Sequence, residues 1–154
     1  MEAIGLQSDR GAAVMLATMV EKALWVALMT RMPKVDKITH DGWFEGAHAP
    51  FQTFSAKIKL GRAFGIYGPR TEELLNTIRE IRNAFAHALT PLGFDNPTIA
   101  NACLGMVDRP PSEPVEGEDH PMRTRYHASC IWAFEKLMDD AKENGDQPIL
   151  IKLP

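Results

Sequence analysis

The sequence predicts a single all-α domain of about five helices, and two observations carry that expectation. Apolar residues recur close to a 3.6-residue period in successive stretches, and capping residues, Pro and Gly stand where those stretches begin and end. The 154 residues are 45% hydrophobic and 24% charged, enough to bury one core over residues 1–154 without a disulfide or metal staple. Seventeen Lys and Arg against twenty Asp and Glu leave a net charge of −3, which argues against a dedicated nucleic-acid binder with its basic domain.

The first helix is expected over residues 9–32. Ser8 or Asp9 caps it, Pro33 stops it, and Ala13, Leu16, Ala17, Val20, Ala23, Leu24, Ala27 and Leu28 keep the helical period. Val14, Met15, Met19 and Val26 add apolar surface elsewhere, so this helix should be central and covered on several sides. Residues 33–52 read as loop, because Pro33, Asp36, Asp41-Gly42, Gly46 and Pro50 punctuate them. A short helix should then run from Thr53 or Phe54 to Phe64, ended by Gly65. Ala56, Leu60 and Phe64 would be its apolar face, with Lys57, Lys59 and Arg62 in solvent.

Pro69, Thr71, Glu72 and Glu73 suit the start of the next helix, and Leu74, Ile78, Ile81, Phe85 and Ala88 or Leu89 mark its buried stripe up to Pro91. Asp95-Asn96-Pro97 opens a helix carrying Ile99, Cys103 and Met106. Residues 108–121, with four prolines and several acids, form a surface loop. The last helix runs from about Arg123 to Asn144, stopped by Gly145 and faced by Tyr126, Cys130, Ala133, Phe134, Leu137 and Ala141. The apolar tail at 146–154 needs a partner surface, and with the helix surfaces it motivates an expectation of self-association, a homodimer.

Cys103 and Cys130 lack CxxC spacing and read as reduced thiols of a cytoplasmic protein. The N-terminus carries no positive signal-peptide region, and Thr18, Glu21 and Lys22 interrupt the most apolar run, so no membrane span is expected. No cofactor motif is present, whether Walker loop, GxGxxG or GxSxG. His127 and Cys130 are half of a metal site at most, since His40, His48, His87 and His120 are scattered, and no metal is expected.

What functional signal there is lies between Phe51 and His87. Arg79, Asn83 and His87 are four apart and form one polar line beside Ile78, Ile81 and Phe85, with Arg82 next to it. A guanidinium, an amide and an imidazole on one helix suit phosphate binding with acid–base chemistry. The bland reading is equally physical: His87 sits where a helix C-terminus favours a cation, and the arginines can pair with Glu72, Glu73 or Glu80. Residues 55–87 hold six Lys/Arg against three Glu, a net of +3, which leaves −6 for the rest of the chain. Such a basic centre can meet an acidic protein surface, a phosphate or RNA. Ser55 is either a helix cap or part of a polar pocket with Asp9, Arg10 and Lys57.

Two resemblances bear on this stretch. Arg82-Asn83-x-x-x-His87 resembles the R-x4-6-H motif of HEPN domains, small helical proteins many of which are metal-independent ribonucleases. That resemblance implies Arg82 on the phosphate, His87 as acid and base, Asn83 in support, and RNA as substrate. A longer one runs through Ser8-Asp9-Arg10-Gly11-Ala12-Ala13, Phe44-Glu45-Gly46, Phe54-Ser55-Ala56-Lys57-Ile58-Lys59-Leu60, Ile78 to His87 and Phe94-Asp95-Asn96-Pro97. Together these segments resemble the mannitol operon repressor family. This resemblance implies a compact helical, non-enzymatic regulator of sugar-alcohol uptake genes. No helix-turn-helix with a base-reading second helix is evident, so action through a protein partner, a regulatory or transport-system component, is expected rather than direct DNA binding. The binding residues expected under this reading are Asp9, Arg10, Ser55, Lys57, Arg79, Arg82, Asn83 and His87. If the family segments meet in space, Arg10, Ser55, Arg82 and His87 would line one cleft.

Overall fold

A computed structural model describes residues 8–106 and 121–145; nearly all of the loop expected over 108–121 and all of the tail expected over 146–154 lie outside these residues, and so does the tail-based argument for self-association. The described residues fold as six helices: α1 (Asp9–Met29), α2 (Lys37–Phe44), α3 (Phe54–Ala63), α4 (Pro69–His87), α5 (Pro97–Leu104) and α6 (Pro121–Asn144).

α1 is the central element and packs against α6, α4 and α3, while α5 rests on α6 and α4. Its Ala13, Leu16, Ala17, Val20, Ala23, Leu24, Ala27 and Leu28 are buried, as the periodicity predicts, together with Ala12. Small residues on this face let neighbouring backbones approach closely, and Leu16, Leu24 and Leu28 fill the space between them. By length and composition α1 could cross a bilayer. Its most apolar side is instead sealed inside the bundle, an arrangement compatible with a soluble protein.

Three long-range ties align α1 and α6 in the same direction. Arg123 donates to the Asp9 carboxylate (3.0 Å), the buried Tyr126 hydroxyl donates to the Ala13 carbonyl (2.7 Å), and Arg31 grips both oxygens of Asp140. Paired N–H donors on one carboxylate fix orientation as well as distance. Phe94, in the segment before α5, closes the core between Phe85 (ring centroids 4.9 Å apart) and Tyr126 (5.4 Å).

Several sequence expectations are corrected. α1 ends at Met29 and not at 32: the Thr30 hydroxyl bonds the Ala27 carbonyl (2.7 Å), and the Arg31 and Met32 amides both return to Leu28 O, closing a turn before Pro33. Residues 33–52 are not loop throughout, since α2 lies within them. Asp36, read as loop punctuation, is its N-cap and accepts from the Thr39 amide (2.9 Å), and Lys37 pairs with Asp41 (2.6 Å) one turn on. His40 stacks on Phe44 (4.8 Å) and meets Trp25 edge-on (6.1 Å), which holds this short helix to α1.

In α3 the N-cap is Thr53, whose hydroxyl accepts from the Ala56 amide (3.1 Å), so Ser55 does not cap it. The buried face is Phe54, Ile58 and Gly61, rotated from the expected Ala56–Leu60–Phe64; Phe64 is 41% exposed. The rotation follows from Tyr67, whose hydroxyl donates to Ile58 O (2.6 Å) across Gly61. A Cβ at position 61 would stand 2.5 Å from the Tyr67 hydroxyl oxygen, so only glycine admits the ring. Gly65, at φ +71°, turns the chain back toward α4 as the stop signal requires. α4 buries Leu74, Leu75, Ile78, Ile81 and Phe85, but it ends at His87, and Leu89 stands in solvent.

Removing buried methyl groups from α1 should therefore be costly. Leu24→Ala is expected to lower unfolding free energy by about 2–5 kcal/mol, whereas Leu89→Ala should stay within about 0.5 kcal/mol, both read by urea denaturation.

Candidate functional site

The polar line predicted on α4 divides into two groups. At its middle, Arg82 and Asn83 face α1 and α3. Glu21, halfway along α1, projects a carboxylate into the junction of the three helices. Lys57 Nζ of α3 donates to Glu21 Oε1 at 3.1 Å, and Arg82 Nη1 of α4 donates to Glu21 Oε2 at 3.0 Å. Lys57 also donates to the Gln52 carbonyl (3.2 Å). Arg82 is fixed further by Asn83 Oδ1, which accepts from Nε (3.4 Å) and Nη2 (3.2 Å), and its guanidinium lies over the Phe54 ring, 5.1 Å from the centroid.

The three charged side chains keep only 13–23% of their surface exposed. In such surroundings a charge without a partner is expensive, which is why an acid midway along a largely apolar helix draws two cations to it. Lys57, expected in solvent, is therefore a corrected expectation. Arg82 takes its acid from across the bundle and not from a neighbouring turn of its own helix.

The second group lies at the end of α4. Arg10 reaches from the first turn of α1 and donates to the Ala86 carbonyl at 2.9 Å, one of the acceptors that a helix end leaves without an intrahelical donor. His87, the last residue of α4, is exposed. α1 and α4 thus run in opposite senses, with Arg10 beside residue 86 and Glu21 beside Arg82. Among the described residues no hydrogen bond joins His87 to Arg82. Ser55 is half-buried in the first turn of α3. Arg79 turns to Asn76 Oδ1 (3.4 Å) and Glu80 (3.7 Å). Asp9 serves the fold: its carboxylate accepts from the Phe94 amide (3.1 Å) and from Arg123 (3.0 Å).

Sequence reasoning missed Glu21 and Phe54, which organise the first group. The signal for Glu21 was available: an acid beside Val20 in the longest apolar run of the chain demands a buried or half-buried partner.

Other titratable groups lie in the core. Burial pushes the Cys103 thiol up to about 11 and the Cys130 thiol and Tyr126 phenol further. His127 is held below the ordinary imidazole value, first by desolvation and then by Arg123, and its Nε2 is buried without a hydrogen-bond partner among the described residues. Among the described residues no group of three or more His, Cys, Asp or Glu is arranged to hold a metal ion. No family model, curated protein or solved structure matches the chain.

Two outcomes follow from this geometry. Arg82→Ala should destabilise the fold by about 1–3 kcal/mol, because it strands Glu21 against one cation and uncovers Phe54, while His87→Ala should change stability by less than about 0.5 kcal/mol; thermal and urea unfolding of both variants check this. A depressed imidazole value means that the unfolded chain binds the His127 proton more readily. Its contribution to stability is complete above the unfolded value near 6.5 and is lost as pH falls through the lower folded value. The unfolding midpoint of wild type measured from pH 7.5 to 5 should accordingly fall more than that of His127→Gln.

Proposed function

We propose that this protein is a non-enzymatic cytoplasmic regulator of sugar-alcohol uptake genes that works through protein contacts, as its resemblance to the mannitol operon repressor family implies. The observation that carries the reading is the engagement of Arg82. Its guanidinium is shared among Glu21, Asn83 and the Phe54 ring, and this favours a non-catalytic duty over acid–base chemistry with His87. What α4 leaves open is its C-terminal end, where Arg10 is bound at the Ala86 carbonyl and the exposed His87 and fully exposed Leu89 follow within three residues. A cation beside an apolar side chain suits a protein surface with a complementary acid. The partner is a regulatory or transport-system protein, and a second copy of the chain is the other occupant this surface suits.

The test is affinity capture from cytosolic extract with wild type, Arg10→Ala/Leu89→Ser and Lys59→Ala. Loss of one specific partner in the first variant, with retention in the second, is the expected result; an unchanged partner set overturns the assignment of this surface.

A specific observation favours a second reading, a HEPN-type metal-independent ribonuclease. Arg10, bound at Ala86 O, places a guanidinium at the carbonyl of the residue before the exposed His87. That reading expects RNA cleavage in the presence of a chelator, abolished in His87→Ala with the fold kept. Intact RNA at high wild-type concentration removes it.

A further inference from the structure

The junction of α1, α3 and α4 holds more positive than negative charge. Two cations, Lys57 and Arg82, converge on one carboxylate, and each donates a single hydrogen bond to it, one per oxygen. The cations are positioned by groups other than Glu21: Lys57 by the Gln52 carbonyl, Arg82 by the Asn83 amide oxygen and the Phe54 ring. The cationic half of the junction is therefore preorganised by partners that do not depend on the acid. None of the three charged side chains is sealed, since each retains roughly a tenth to a quarter of its surface in solvent.

We propose that this junction is an anion site held closed by Glu21, whose carboxylate occupies the place that a phosphate group would take between Lys57 Nζ and Arg82 Nη1. A planar guanidinium backed by an aromatic ring, with an ammonium opposite, matches the acceptor oxygens of phosphate, and a carboxylate is the side chain that best imitates them. Glu21 reaches the junction from the middle of α1 through a flexible side chain, so a ligand enters by exchanging with the carboxylate while the helices stay in place. The wild-type site is thereby self-occupied and answers only to an anion able to compete with a tethered acid. This inference goes beyond the protein-contact reading and uses neither His87 nor Arg10.

The experiment uses the full chain and inorganic phosphate, titrated at constant ionic strength against chloride, with the thermal midpoint and the Asn83 side-chain amide resonances as readouts. Glu21→Gln, which keeps the shape and removes the charge, should bind phosphate at least about tenfold more tightly than wild type. Phosphate should raise its midpoint and move the Asn83 signals, and both effects should disappear in Glu21→Gln/Arg82→Gln. A Glu21→Gln protein no more responsive to phosphate than wild type, or a response that survives the second substitution, overturns the proposal. If Glu21→Gln is unfolded in chloride, the readout becomes recovery of helical circular dichroism on adding phosphate: recovery supports the site, and a chain that stays unfolded overturns it.

Discussion

One carboxylate ties three helices of the bundle together. Glu21 sits midway along the helix that every long neighbour packs against, and apolar residues fill most of the turns around it. Placing an acid there commits α3 and α4 to deliver cations at one height and in one rotation. Lys57 does so from the second turn of α3, and Arg82 from the fourth turn of α4. Hydrophobic packing is tolerant of sliding by a residue or of rotation by a fraction of a turn, and an ion pair with hydrogen-bond geometry is not. The junction adds register to a core that is otherwise held by non-directional burial.

The same logic recurs at the two ends of α1. Asp9 joins Arg123 and the Phe94 amide at one end, and Arg31 joins Asp140 at the other. Between them Tyr126 donates to Ala13 O within the core. Two of these ties sit one turn apart at the start of the helix pair and the third lies at its far end, and together they fix the parallel alignment of α1 and α6 although four helices separate the two in the chain. Individually such partly exposed pairs contribute little, but together they exclude alternative alignments.

Periodicity and punctuation made most of this fold legible. The buried residues of α1, the stripe from Leu74 to Phe85, the Asn96 cap of α5 and the Tyr126–Ala141 face of α6 follow directly from spacing, because each is decided within a few turns. α2 was hidden because its eight residues contain Asp41-Gly42 and follow Pro33, which are loop signals when read locally; the Asp36 cap and the aromatic contacts of His40 and Phe44 with distant residues outweigh them. The rotation of α3 was hidden for a related reason, since it is set by Tyr67 folding back over Gly61. At the candidate site the sequence showed which residue types share α4, but not that Glu21 lies opposite Arg82. A pairing across 61 positions leaves no trace in local spacing.

The two cysteines have a practical consequence. Cys103 and Cys130 are free, fully covered by the core, and held as protonated thiols at neutral pH by the apolar surroundings that bury them. Thiolate is the reactive form, so in the intact bundle neither sulfur is a target for alkylation, oxidation or exchange. Their rate of modification by an excess of reagent is governed by how often α5 and α6 part, which turns two inert side chains into a built-in gauge of local opening that needs no introduced label.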